Sequence, residues 1–154
     1  MQKIERAVVT GSGGGLGRAF ALELAARGAA VVVSDIRREA AEETAELVRS
    51  RGGKAIVIPC DVRDAAAVTA LADEAESRLG PIDLVINNAG VAVSGPVGEV
   101  SLEDWRFAVD VNLYGVIHGC HVFAPRMKAR KRGLIINVAS AAGLISAPLL
   151  APYN

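Results

Sequence analysis

Apolar residues gather into five short runs, Ala7–Thr10, Val31–Val33, Ala55–Ile58, Leu84–Ile86 and Leu134–Ile136, and none of them alternates with polar residues. A strand with one wet face alternates, so unbroken runs predict strands buried on both faces. Between the runs the spacing turns helical: Leu16, Phe20 and Leu24 in the first connection, Ala40, Thr44, Leu47 and Val48 in the second, Val68, Leu71, Ala75 and Leu79 in the third. Stops follow where such helices should end, at Gly28, Gly52-Gly53 and Gly80-Pro81. Asp64 is placed to cap the third helix, and Ser101 with Asp104 resembles a capping box opening the fourth connection. That connection runs over about residues 102–132 and predicts two helices broken near Asp110 to Asn112. Strand–helix alternation without hairpin turns implies right-handed crossovers. The expected fold class is therefore α/β, a doubly wound parallel sheet with helices on both faces. Residues 1–154 read as a single domain, with the strand around Ile135 on an open edge.

Composition narrows the function classes. Hydrophobic residues make up 51% of the chain but aromatics only 4%, so the core must be aliphatic and alanine-rich, as in a buried parallel sheet. Lys and Arg number 17 against 17 Asp and Glu, which removes the electrostatic case for nucleic acid or an anionic membrane surface. No apolar stretch approaches the ~20 residues of a spanning helix. Met1–Arg6 is charged and lacks the apolar core of a secretion signal, and Cys60 and Cys120 stand apart, so a soluble cytoplasmic protein is expected. His118, Cys120 and His121 cluster without a nearby carboxylate, and no metal is expected there. The basic run Arg126, Lys128, Arg130, Lys131 and Arg132 precedes Gly133, and reads as a solvated helix end whose cations complement the helix dipole.

The chemistry begins at Thr10-Gly11-Ser12-Gly13-Gly14-Gly15-Leu16-Gly17, between the first strand and the first helix. Unpaired backbone N–H groups and the positive end of a helix dipole face an anion in such a turn, and glycines allow close approach, so the loop is expected to hold a phosphate. Gly17 is followed by Arg18-Ala19, where an ATP-type loop needs Lys and then Ser or Thr. Asp35 ends the second strand, 24 residues after Gly11. Read as a binding residue, its carboxylate accepts from ribose hydroxyls and repels a 2′-phosphate, favouring NAD; read as a local residue, it caps a helix. With Ile36 next to it, no adjacent cation is expected to neutralise it. A methyltransferase with an adenosyl cofactor could show the same loop and acid.

Further elements decide among these. Thr10-Gly11, Gly15-Leu16-Gly17, Asp61, Asn87-Asn88-Ala89-Gly90, Asn112, Ser140 and Tyr153 appear in this order, with Tyr153 thirteen residues after Ser140. Together they resemble the short-chain dehydrogenase/reductase family, over the whole chain. The resemblance implies a Rossmann fold and a nicotinamide cofactor, NAD on the strength of Asp35. It implies cofactor contacts from Thr10, Gly11, Ser12, Gly15, Leu16, Gly17, Asp35, Asp61, Val62, Asn87, Ala89 and Gly90, with Asp61 accepting from the adenine amino group while Val62 packs near the ring. It implies catalytic roles for Tyr153 as proton donor and acceptor, Ser140 as holder of the substrate oxygen, and Asn112 as a helix-breaking residue in a proton relay. A free phenol titrates near 10, and bringing it to neutrality takes about 4 kcal/mol of positive charge nearby. The family draws part of that from a lysine four residues after its tyrosine.

The sequence stops at Tyr153-Asn154, before that position, so the C-terminal part is expected to be missing and the chain catalytically incomplete. The expected activity of the parent is hydride transfer between NAD(H) and a secondary alcohol or its ketone, on a small, partly hydrophobic substrate. The alternatives are a non-catalytic NAD-binding fragment or pseudoenzyme, and a 3-oxoacyl thioester reductase. Family resemblance also implies a homodimer or homotetramer, with Gly115, Val116, Gly119 and Val122 packing closely against a symmetry mate.

Overall fold

The computed structural model describes residues 3–153; Met1, Gln2 and Asn154 lie outside the described residues. Strands β1 (Arg6–Thr10), β2 (Ala30–Ser34), β3 (Lys54–Val57), β4 (Leu84–Asn87) and β5 (Leu134–Asn137) form one sheet in the order β3-β2-β1-β4-β5. All four pairings are parallel. The chain winds outward from β1 to β3, then returns to the other side of β1 for β4 and β5. Helices α1 (Gly15–Ala26), α2 (Arg38–Ser50), α3 (Ala65–Leu79), α4 (Leu102–Val109) and α5 (Gly115–Ala129) fill the connections. This is the doubly wound, Rossmann-like fold that the strand pattern predicts.

Each interior strand contributes to two cores because successive side chains point to opposite faces. Ala7 and Val9 of β1 pack with Val31, Val33 and Ile86 against the alanines of α1 and α2. Val8 packs with Val32 and Val85 against Leu71, Ala75 and Phe123, from α3 and α5. The helix faces differ from the spacing of the large residues. In α1 the buried stripe is Gly17, Ala21 and Ala25, while Leu16 is 54% exposed. In α2 it is Ala41, Thr44, Ala45 and Val48, and Leu47 faces outward. Small side chains let these helices lie close to a sheet of valines, so the contact line is set by alanine and glycine and the larger residues flank it.

The ends of the helices follow the expected chemistry. The Asp64 carboxylate accepts from Ala66 N at 2.8 Å, and Ser101 Oγ accepts from Asp104 N at 3.0 Å. The break expected near Asp110 to Asn112 is a π-helical turn, Asp110–Tyr114, that joins α4 to α5 without an interruption of the helical backbone. A π-turn adds a residue to the helix and turns its faces, a common device beside functional sites. The basic run at the end of α5 is more engaged than a solvated terminus. Arg126 and Arg130 both reach Glu76 on α3 at 3.0 Å, and Arg132 reaches Asp83 at 2.9 Å. Among the described residues no helix is long and apolar enough to cross a membrane, and no group of three or more His, Cys, Asp or Glu could hold a metal ion.

Candidate functional site

A cleft of about 580 Å³ opens at the C-terminal edge of the sheet. In open α/β sheets a crevice forms there because consecutive connections leave neighbouring strands for opposite faces. Here the neighbours are β1 and β4, and side chains lace their ends together. The Thr10 hydroxyl accepts from Asn88 N at 3.0 Å and Ala89 N at 3.2 Å, while Asn88 Nδ2 donates to the Thr10 and Gly11 carbonyls at 2.9 and 3.1 Å. Gly11 has a φ of +61°, and a Cβ on it would lie 2.6 Å from the Ala89 Cα. Only glycine lets the two exits pass this closely.

Helix α1 starts at the cleft wall on Gly14, which offers no side-chain cap, whereas α3 and α4 start on the capping side chains of Asp64 and Ser101. The N–H groups of the first turn of α1 thus carry the partial positive charge of a helix start into a space lined by Gly15, Leu16 and Gly17. A pyrophosphate fits this cradle in charge and in clearance. Ser12 lies behind it. Its hydroxyl is fully buried, donates toward Val9 O at 2.7 Å, and accepts from Ser34 N at 2.9 Å.

Asp35 lines the cleft with 9% of its surface exposed. Its Oδ2 accepts from Gly13 N at 2.9 Å and its Oδ1 from Arg37 N at 3.0 Å. The expectation of no adjacent cation is corrected here: Arg37 Nε lies 3.8 Å from Oδ1, because the turn that puts Arg37 N on that oxygen also brings its side chain beside it. Asp61 and Val62 lie across the cleft. Asp61 is bound by Arg63, whose Nη2 is 2.6 Å from Oδ2 and whose Nε is 2.9 Å from Oδ1. Hydrogen bonding from that guanidinium holds the Asp61 carboxyl below its ordinary value. Arg63 in turn lies over the Phe107 ring at 5.5 Å. Val62 is buried, and its carbonyl is 2.9 Å from His118 Nδ1 on α5. Cys60 also lines the cleft; burial, aided by the charges of Asp61 and Asp64, pushes its thiol up to about 11, so it is uncharged at neutral pH.

The cleft brings together Gly11, Gly15, Leu16, Gly17, Asp35, Asp61, Val62, Ala89 and Gly90. Thr10, Ser12 and Asn87 sit behind its lining. Asn87 is buried and donates to Asn137 Oδ1 at 2.8 Å, joining β4 to β5. Asn112, in the π-turn, binds both polar groups of the Val91 backbone, accepting from N at 2.8 Å and donating to O at 2.9 Å. It therefore fixes the chain just after Gly90. Ser140 and Tyr153 lie beyond β5 and do not line the cleft. Ser140 Oγ accepts from Ala142 N at 3.2 Å and caps the 3₁₀ turn Ala141–Gly143; Tyr153 is half-buried, its N–H on the Leu150 carbonyl at 2.8 Å.

The resemblance assigns no contact to Asn88, Arg63 or Phe107. Asn88 carries a signal, since it belongs to the run Asn87-Asn88-Ala89-Gly90 that carries the resemblance. Arg63 and Phe107 carry none, because they are far apart in sequence and meet only where the loop after β3 reaches α4. The four small or aliphatic residues expected to face a symmetry mate are also placed differently. Gly115 and Gly119 are buried, because a Cβ on the first would press on Val62 and one on the second on Asn87. Val122 packs into the core and Val116 is half-buried. The exposed apolar stripe beside them is Leu113, Tyr114 and Ile117.

Known proteins share this architecture. Meso-2,3-butanediol dehydrogenase of Serratia marcescens is 40% identical over 137 residues, which are 89% of this chain and 53% of that protein. A short chain dehydrogenase/reductase of Burkholderia phymatum, solved in complex with NAD, superposes with a TM-score of 0.95 at 41% identity, over 98% of this chain and 54% of that one. A gluconate 5-dehydrogenase of Burkholderia cenocepacia, solved with NADP and tartrate, gives 0.90 at 40% identity, over 97% and 58%. The chain spans about half the length of the curated relatives it matches. Residues 5–154 match the family model described as short chain dehydrogenase. With that match and the cleft at the β1/β4 exits, the chain belongs to the short-chain dehydrogenase/reductase family.

Proposed function

We propose that residues 1–154 form a single dinucleotide-binding domain of an oxidoreductase that moves a hydride between NAD(H) and a secondary alcohol or its ketone. The observation that carries this reading is the cleft, in which an uncapped helix start and a buried carboxylate stand on the same wall, as a dinucleotide's pyrophosphate and adenosine ribose require. Family membership and a relative named for a diol substrate support the reaction class. The nicotinamide ring, when bound, supplies the hydride donor or acceptor. Tyr153 gives or takes the proton of the substrate oxygen, Ser140 holds that oxygen, and Asn112 keeps the chain after Gly90 in place. Asp35 supports NAD over NADP; Arg37, 3.8 Å from it, narrows the preference. The exposed Leu113, Tyr114 and Ile117 support a homodimer or homotetramer, which sedimentation at micromolar concentration checks. The unpaired Cys60 and Cys120 fit a reducing, cytoplasmic compartment.

Two measurements on the full chain test the reading. Titration should give a lower dissociation constant for NAD than for NADP; equal or reversed values would mean that Arg37 serves a 2′-phosphate. Tyr153→Phe should lower turnover by at least about 10²-fold, the usual worth of general acid–base catalysis, with NAD affinity nearly unchanged. Retained turnover would remove Tyr153 from its role.

A further inference from the structure

The Gly13 residue is gripped from both sides. Its N–H donates to Asp35 Oδ2 at 2.9 Å, and its carbonyl accepts from Arg18 Nη2 at 2.5 Å. Arg18 rises from the first turn of α1 and is itself anchored, with Nε on the Thr44 hydroxyl of α2 at 2.8 Å and Nη2 3.1 Å from Glu43. Thr44 is completely buried, so the anchor is a fixed point of the core. A Cβ on Gly13 would come within 2.7 Å of the Ala40 Cβ and 2.8 Å of Asp35 Oδ2, so this backbone lies directly against the carboxylate.

We propose that Arg18 is a specificity-determining positioning residue: through the Gly13 backbone it sets the direction in which the Asp35 carboxylate meets the adenosine ribose. This rests on the role given to Asp35 under the proposed function. A carboxylate turns readily about its last bond unless donors hold its oxygens. Oδ1 is held by Arg37 N, two residues along in the same turn, and moves with Asp35 itself. Oδ2 depends on Gly13, which belongs to a glycine-rich turn with little intrinsic preference for one conformation. The planar fork of Arg18 removes that freedom by joining the Gly13 carbonyl to the buried Thr44, two acceptors that a lysine ammonium, as a point charge, cannot reach with the same fixed spacing. With the turn fixed, Asp35 keeps its remaining lone pairs toward the cleft, where a ribose diol can donate to them and a 2′-phosphate is repelled. With the turn loose, the carboxylate loses its fixed donor and rotates, and both effects weaken.

The test is the ratio of NADP⁺ to NAD⁺ dissociation constants in the full chain, measured by titration for the wild type and for Arg18→Met, Thr44→Val and Asp35→Ala. Arg18→Met should weaken NAD⁺ about tenfold, the size of one charge-assisted hydrogen bond lost at the ribose, and leave NADP⁺ within about twofold. Thr44→Val keeps shape and burial while removing the anchor. It should lower the ratio in the same direction by a smaller factor, and it decides the matter if Arg18→Met does not fold. A loop that had only become less stable would weaken both dinucleotides equally and leave the ratio unchanged, which would overturn the proposal. If Asp35→Ala lowers the ratio while Arg18→Met and Thr44→Val do not, the proposal fails and the role of Asp35 stands. If Asp35→Ala leaves the ratio unchanged, the role of Asp35 fails and the proposal falls with it.

Discussion

The two ends of the sheet solve opposite problems with similar residues. At the N-terminal edge, Asp83 is 3% exposed and its carboxylate takes three donors: Oδ2 accepts from Glu5 N and Arg6 N at 3.0 and 3.2 Å, and Oδ1 accepts from Arg132 Nε at 2.9 Å. Its backbone carbonyl takes Leu134 N, so the starts of β1, β4 and β5 meet at one residue. At the C-terminal edge, Asp35 is also buried, but it faces a cleft and leaves part of its capacity for a ligand. A carboxylate with three donors and no open space beside it holds strands together, and one with two hydrogen-bond donors beside a cleft is free to bind. The difference between the ends is the number of donors the fold itself supplies.

The largest effect that tests this contrast comes from Asp83→Ala. It leaves two backbone N–H groups without their acceptor, while the Arg132 side chain, 46% exposed, turns to water and keeps the Lys3 carbonyl, so a loss of about 2–4 kcal/mol is expected. Chemical denaturation should register that loss, while the protein that remains folded should bind cofactor as the wild type does. A stability change below about 1 kcal/mol would show that water replaces Asp83 without penalty, and the contrast between the two edges would lose its basis.

Most of the fold was legible because unbroken aliphatic runs have few alternatives to a buried parallel sheet. The cradle was legible because a glycine-rich turn between strand and helix has a direct electrostatic consequence. The misplaced features share one physical origin. Spacing of large residues marks Leu16 and Leu47 as inward, but α1 and α2 dock through their smallest side chains. Likewise Gly115 and Gly119 read as a surface for a partner, whereas their lack of a side chain makes room for Val62 and Asn87 inside the same molecule. In both cases the identity of the neighbour decides, and the neighbour is distant in sequence. Asp61 shows the same limit: its position suggests a free acceptor for adenine, and only the fold reveals that Arg63 already occupies both oxygens.

Asp61 therefore provides a test of intermediate size, since it is an acid at the open edge that carries a partner as Asp83 does. Its carboxyl lies below the ordinary aspartate value chiefly because Arg63 hydrogen-bonds to the charged form. A group with a depressed folded-state value stabilises the protein above its unfolded value and stops doing so as pH falls through the folded one. Stability from this pair should thus be complete above about pH 4 and fade in more acidic solution. Exposure keeps it small. NMR titration of the Asp61 side chain in the wild type and in Arg63→Gln should show the value rising in the variant; an unchanged value would mean that the pair forms too rarely to matter.

The smallest predicted effect has the opposite sign. Ser34 ends β2 one residue before Asp35 and is 1% exposed, yet among the described residues its hydroxyl has no hydrogen-bond partner. Its backbone, in contrast, is fully used, with N held by Ser12 Oγ at 2.9 Å and O accepting from Ser12 N at 3.0 Å. Ser34→Ala leaves those bonds intact and removes only the idle hydroxyl. An unsatisfied buried polar group costs about 1–3 kcal/mol, and the small void left by one oxygen returns part of it, so a net gain of about 0.5–1 kcal/mol is expected in thermal or chemical unfolding. Ser12→Ala, just past the end of the neighbouring strand β1, removes a hydroxyl that bridges β1 to β2 and should cost about 1–2 kcal/mol. If Ser34→Ala destabilises as much as Ser12→Ala does, its hydroxyl is satisfied in solution, and the C-terminal edge holds no spare polar capacity outside the cleft.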